Sequence, residues 1–359
     1  MNATDAVVDL DDSDGLLAAD RQGLLRAAAM AGAQVRSTAA ALDEGVLEPL
    51  RSGQLPRTLI WLAGRGAAEA AGTMLAAAFG AAIGAPIVVA AEVPPWIGAL
   101  DVLVIAGDDP GDPALVTAAA TGVRRGARVV VVAPYEGPLR DATAGRAVAL
   151  APRLWVPDDF GLARYLAAGL AVLTVVDSNF RVDLDGLADE LDAEALRNSA
   201  GRDVFTNPAK ALADRMSGHD VVLAGDTAST LALARHGAAV LLRIAQQTVA
   251  AAGLADVLVA LRSGFGASGG HETSLFHDDE IDGPRPRRAR TFLLATEAER
   301  PVVTARVSGY DTLEVVDTED AADGPEETAS PGGTRLERQL AKLAVRLEMT
   351  AVYLRLVRG

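Results

Sequence analysis

Residues 276–283, FHDDEIDG, set His277 beside Asp278, Asp279, Glu280 and Asp282. An imidazole among carboxylates supplies a general acid/base pair, and the same carboxylates could instead offer hard oxygen ligands to a divalent cation. The plain alternative is an exposed acidic loop. A second acidic stretch, AGDDPGDP at 106–113, places Asp108, Asp109 and Asp112 around Gly111, where the apolar run VLVIA gives way to the helical pattern ALVTAAATGVRRGA. Strand-to-helix junctions of this kind point free backbone N–H groups outward and hold anions. Here the junction is filled with carboxylates instead.

Two further loops have the same form. AGRGAAEAAG at 63–72 carries Gly64, Arg65 and Gly66, but the third position of a dinucleotide-type G-x-G-x-x-G falls on Glu69, whose charge opposes a pyrophosphate. Arg65 could face a phosphate, or the glycines could merely make the turn. AGDTAST at 224–230 carries Thr227, Ser229 and Thr230, whose hydroxyls either cap the helix that follows or meet a ligand. His271, in GFGASGGHETS, reads as a surface-loop residue, as do His219 and His236.

The elements that position these loops are legible as alternation. From residue 58, TLIWLA, IVVAA, VLVIA and RVVVVA are separated by Ala/Leu-rich helical stretches, which predicts a parallel sheet covered on both faces. AALDEGVLEPLRSG predicts a preceding helix, and residues 161–200 read as helical. The alternation restarts with DVVLAG at 220–225 and a long helix from Ala228. Further strands are expected at 257–261, 291–296, 302–307 and 312–317. Residues 318–334 are acidic and rich in Pro and Gly, as expected of a mobile loop, because little in them can offset the entropy of ordering. The last segment places Leu336, Leu340, Leu343, Leu347 and Leu354 near one helical face, for packing on the core or on a second subunit.

Composition narrows the function classes. The chain has 359 residues, half of them hydrophobic, enough for two domains. A formal net charge of -15 disfavours nucleic acid and anionic membranes as partners. With no cysteine, thiolate chemistry and disulfides are excluded, and only Lys210 and Lys342 could serve any lysine-dependent step. The acidic N-terminus has no signal-peptide pattern and no apolar run is of spanning length, so a cytoplasmic protein is expected.

The order of these pieces resembles the bifunctional phosphoglucose/phosphomannose isomerases, which are built from two SIS (sugar isomerase) domains. AGRGAAEAAG is similar to the family's GMGGSA loop, and VPPWIGALDVLVIAGDDPGD to the stretch leading into its SYSGNTEET phosphate loop. NPAKALADRMSGHDVVLAG resembles its N-x-AK-x-LA stretch, FHDDEIDG its NHNEI motif, and EMTAVYLRL its D-x-x-S-x-YLA segment. The resemblance implies an α/β fold of two SIS-type doubly wound parallel-sheet domains: a first SIS domain at 20–150, a helical connection at 151–205 and a second SIS domain at 206–359.

The implied activity is aldose–ketose isomerisation of glucose, mannose and fructose 6-phosphates through an enediol, without metal or organic cofactor. The implied partners are a sugar phosphate or related carbohydrate derivative and a second copy of the chain as a homodimer.

Carried over residue by residue, that machinery is eroded. With Gly111 on the family's glycine, its phosphate-binding serines fall on Asp108 and Pro110, its Asn on Asp112 and its Thr on Pro113. The base falls on Gln246, the ring-opening His on Asp278 beside His277, and the phosphate-contacting Arg on Phe160, with Arg164 displaced from it. The family's lysine, beyond the YLA stretch, has no counterpart before Gly359. If isomerisation survives, Glu280 and His277 form the acid/base pair. The ligand is then held by Gly64, Arg65, Gly66, Asp108, Gly111, Arg164, Thr227 and Ser229. The alternative is a non-catalytic protein that senses a sugar ligand or supports a partner enzyme.

Overall fold

A computed structural model describes residues 8–266, 288–318 and 336–358. They form two compact units, one of residues 23–196 and one joining the residues up to Gln22 with Arg197 onward. The stretch 151–205 is thus divided at Leu196 and Arg197. Each unit holds one parallel sheet. Among the described residues no helix is long and apolar enough to cross a membrane.

In the first unit β1 (Leu59–Leu62), β2 (Ile87–Ala90), β3 (Val102–Ala106), β4 (Arg128–Val132) and β5 (Val148–Ala149) pair in the order β2-β1-β3-β4-β5. β1 and β3 are buried along their whole length, which is why they read as unbroken apolar runs. One face of the sheet, with Ile60, Leu62, Leu103 and Ile105, packs on α5 (Pro113–Arg124) and α6 (Gly137–Thr143). The other face, with Leu59, Trp61 and Val104, meets Leu75 of α4 (Gly66–Phe79) and Val172 and Leu173 of α7 (Leu162–Val176). The remaining helices of the unit, α1 to α3 being Ser13–Ala19, Leu24–Ala28 and Ala31–Asp43 in chain order, contribute α2, α3 and the acidic α8 (Leu184–Arg197).

Trp61 is fully buried and its indole N–H donates to the Ala68 carbonyl at 2.8 Å. Gly72 of α4 and Gly169 of α7 make room for it, because a Cβ at Gly72 would overlap the indole ring.

In the second unit β6 (Asp220–Gly225), β7 (Ala250–Gly253), β8 (Ala289–Leu294) and β9 (Leu313–Val316) pair in the order β7-β6-β8-β9. The helices are α9 (Pro208–Met216), α10 (Ala228–Ala245), α11 (Leu254–Arg262), α12 (Arg300–Val307) and α13 (Leu336–Arg358). Two expected strands are helices instead. At 257–261 the buried set Leu254, Val257 and Leu258 has helical spacing, and at 302–307 Pro301 opens a helix that buries Val303 and Val307.

Of the two roles expected for the C-terminal leucines, packing on the core is the one seen: Leu340, Leu343, Leu347 and Leu354 are buried within their own unit. His236 lies in no surface loop: it is buried on α10, with Nε2 3.2 Å from Glu348 of α13.

Two motifs of the sequence meet in one latch. Asn207 caps α9 through the Lys210 N–H, and the buried Lys210 ammonium donates to the carbonyls of Ala200 and Arg202 at 2.8 Å each. Lys210 also lies 5.6 Å from the centroid of the Tyr353 ring, and the Tyr353 hydroxyl donates to the Asn198 carbonyl at 2.7 Å. Burial pulls the Lys210 ammonium below its usual range, against the opposing pull of Asp11 and Asp203. Burial pushes the Tyr353 phenol up to about 12.

Two outcomes follow from this packing. Gly72→Ala should destabilise the protein by about 1–3 kcal/mol through overpacking against Trp61, read from urea unfolding. Because the folded Tyr353 phenol binds its proton more tightly than the unfolded one, its contribution is fully present below about pH 10 and is lost as pH rises towards 12. Tyr353→Phe should therefore flatten the fall in melting temperature across that window, relative to the unmutated protein.

Candidate functional site

The strand order of the first sheet reverses direction between β1 and β3, and the crevice at the carboxyl ends of two such strands is the usual ligand position in sheets of this kind. The β1 loop supplies Gly64, Arg65 and Gly66. Gly66 has φ +67°, a conformation that a side chain would strain, whereas Gly64 has open space around it and no such requirement. Arg65 occupies the N-cap position of α4, whose first turn receives no side-chain cap. The Arg65 guanidinium is 75 % exposed and loosely paired, 3.6 Å from Asp112.

The β3 loop is closed on itself. Asp109 accepts from the Gly111 N–H at 2.8 Å, and its carbonyl accepts from the Asp112 N–H at 3.2 Å. Asp112 caps α5 by accepting from the Ala114 N–H at 2.8 Å. Pro110 and Pro113 have no N–H to offer. From 110 to 114, then, every backbone donor is absent or already bonded to an oxygen of the loop. The carboxylates in this junction act as its own internal anions.

Asp108 does something different. Its Oδ1 accepts from Arg164 Nη2 at 2.6 Å and from the Tyr165 hydroxyl at 2.5 Å, and Arg164 Nη2 also donates to the Tyr165 oxygen at 2.7 Å. Both partners stand in the first turn of α7, with the Arg164 guanidinium 4.2 Å from the Tyr165 ring centroid. Arg164 is 14 % exposed and Asp108 26 %. Burial holds the Tyr165 phenol far above its ordinary range, and the Asp108 carboxylate adds to the shift against the opposing effect of Arg164. Asp158, just before α7, is raised by burial first and by Asp108 second, with Arg164 pulling the other way. Phe160 is buried, and its carbonyl accepts from the Gln34 side-chain amide at 2.9 Å.

In the second sheet the direction reverses between β6 and β8. Thr227 and Thr230 form a capping box at the start of α10, and the Thr227 hydroxyl lies 3.0 Å from that of Ser229. After β8, Glu299 accepts from the Thr296 N–H at 2.8 Å and the Thr296 hydroxyl at 2.6 Å, and also from the Thr230 hydroxyl at 3.3 Å. Arg306 reaches across to both oxygens of Asp226 at 2.8 and 2.6 Å. The hydroxyls of Thr227 and Ser229 are thus engaged in closing their own loop. The T-x-x-E spacing at 296–299 signals this capping arrangement; the pairing of Asp226 with Arg306 has no local signal.

Gln246 is exposed at the C-terminal end of α10, with φ +53°. That end lies about 27 Å along the helix from Thr227, at 1.5 Å per residue over 18 residues. His277, Asp278, Asp279, Glu280 and Asp282 lie outside the described residues, as do His271 and residues 319–334. Among the described residues no group of His, Asp and Glu could hold a metal ion. Tyr165 and Asp158 join the first-sheet crevice without having been singled out from sequence; only their nearness to Arg164 along the chain hinted at them.

Neither a protein-family model nor a curated protein matches the sequence. Solved structures do. The C-terminal domain of glucosamine-fructose-6-phosphate aminotransferase from Francisella tularensis is similar with a TM-score of 0.60 at 11 % identity, over 94 % of this chain and 97 % of that one. Tagatose-6-phosphate ketose/aldose isomerase from Escherichia coli gives 0.58 at 14 % identity, over 100 % and 95 %. A glucose-6-phosphate isomerase like protein from Thermus thermophilus gives 0.52 at 20 % identity, over 98 % and 96 %. The fold is therefore that of the SIS-type phosphosugar isomerases, two parallel-sheet α/β domains in one chain.

The capping role of Asp112 separates cleanly from its charge. Asp112→Ala should cost about 0.5–2 kcal/mol in urea unfolding, whereas Asp112→Asn, an equally good cap, should stay within about 0.5 kcal/mol of the unmutated protein.

Proposed function

We propose that this protein binds a sugar phosphate or related carbohydrate derivative in the crevice between the β1 and β3 loops, and that it does not isomerise it. One observation carries the reading. The β3 loop has no backbone donor left between 110 and 114, while the β1 loop keeps an uncapped helix start and the exposed Arg65 guanidinium. A phosphate is then met from the β1 side, by Arg65 and the first N–H groups of α4, rather than by the β3 junction. The names of the similar structures, which act on or resemble enzymes of sugar phosphates, agree with that ligand class.

Isomerisation needs a base able to move a proton between C1 and C2. Gln246, at the position the resemblance assigns to that base, carries no titratable group. Tyr165 keeps its proton throughout the physiological range and Asp108 is bound on one oxygen by two donors, so neither is poised for the task.

Calorimetry with glucose, mannose and fructose 6-phosphates tests the binding. Arg65→Gln should weaken the bound sugar phosphate about tenfold, the lower end for a charge-assisted bond at an exposed group. Asp112→Asn removes, from beside Arg65, a negative charge that repels the phosphate and should strengthen binding roughly fivefold, at about 1 kcal/mol for a contact in solvent. A coupled assay of fructose 6-phosphate conversion should show no turnover in any of these proteins. Steady conversion by the unmutated protein would overturn the non-catalytic reading and point to His277 and Glu280.

A further inference from the structure

We infer that Asp108 and Arg164 together form a seat for one sugar hydroxyl, so that Asp108 attracts the ligand that its neighbour Asp112 repels. The inference rests on the crevice being a carbohydrate site. All three bonds of the cluster run through Arg164 Nη2, the Tyr165 hydroxyl and Asp108 Oδ1. That leaves two atoms over. Among the described residues, Arg164 Nη1 is buried without a hydrogen-bond partner, and Asp108 Oδ2, the second oxygen of a carboxylate 26 % exposed, accepts no bond. Nη1 shares its carbon with Nη2 and Oδ2 shares its carbon with Oδ1, so an unused donor and an unused acceptor border the same ion pair. A buried guanidinium N–H left without an acceptor is costly, and native sites rarely keep one without reason.

The chemistry of the missing group follows from the pair. A phosphate oxygen can accept from Nη1, but the dianion brings no proton for Oδ2. An ammonium can donate to Oδ2 but offers nothing to Nη1. A hydroxyl does both at once, accepting on its lone pair and donating its hydrogen. Tyr165 holds the pair in place: its phenol remains protonated and donates to Oδ1, which keeps Asp108 turned towards Arg164. The partly exposed carboxylate is the side from which the seat is reached.

The two carboxylates of one loop therefore have opposite expected effects. If both merely repelled phosphate, neutralising either would improve binding. In calorimetric titrations of glucose, mannose and fructose 6-phosphates, Asp108→Asn should weaken the sugar phosphate that binds by at least tenfold. Inorganic phosphate, which has no such hydroxyl, should bind the variant as well as before or better. Arg164→Lys, which keeps the charge and removes the Nη1 donor, should reproduce the pattern should Asp108→Asn fail to fold, with melting temperatures as the control.

Unchanged or stronger sugar-phosphate binding by both variants would overturn the inference, with a bound water then taking the place assigned to the hydroxyl, while the binding reading above would stand. Absence of binding by all three sugar phosphates to the unmutated protein would remove both.

Discussion

The burial of one indole ring organises the first unit. Trp61 projects from the centre of the sheet into the layer shared by α4 and α7, where its N–H is bonded to Ala68 and two glycines admit the ring. A ring of this size excludes other packings, because the interior is dense and the indole is rigid. α4 begins at the loop that carries Arg65, and α7 carries Arg164 and Tyr165 in its first turn. A single packing decision thus sets where both arginines stand relative to the β3 loop. The crevice follows from the wedge beneath it.

The second organising fact is electrostatic. A chain with 33 basic and 48 acidic residues places carboxylates at the strand-to-helix junction after β3, and the fold accommodates them by giving each one a donor. Backbone N–H groups of the β3 loop take two of these carboxylates and a guanidinium takes the third. The second unit does the same by other means, with a capping box at Thr227 and Thr230, the Glu299 carboxylate on Thr296, and the pair of Asp226 and Arg306. A helix-start loop filled from within is stable, since its donors are satisfied in the free protein, and any ligand must compete with that satisfaction. What remains accessible is the β1 loop and the half-used pair of Asp108 and Arg164.

Lys210 shows how a motif can be kept without being chemical. Its stretch resembles a family signature, yet the ammonium is spent on two carbonyls and an aromatic face, binding the turn at 198–203 to the C-terminal helix. The lysine therefore takes no part in either crevice. It is a structural cation, stabilised by the same bonds that remove it from reactivity.

By itself the sequence determined the architecture. The apolar runs VLVIA and VVVV, bounded by turn residues, read as strands covered on both faces, and their alternation with Ala/Leu-rich helices sets parallel sheets. It also showed that the β3 loop lacked its expected hydroxyls. What it could not decide was every feature in which two distant segments share one environment. Ala250–Gly253 forms a strand with only small side chains, because pairing with β6 supplies what propensity does not. VLVAL and VVTARV have the composition of strands but bury residues at helical spacing, since the sheet beside them sets which face is inside. Asp108 and Arg164 are 56 positions apart, so neither pattern nor period connects them. Local sequence sets backbone preference and burial pattern, whereas the partner of a charge is chosen by whichever element the packing brings alongside it. That choice set the Asp108 carboxylate of an acidic loop against Arg164 and Tyr165 of a distant helix.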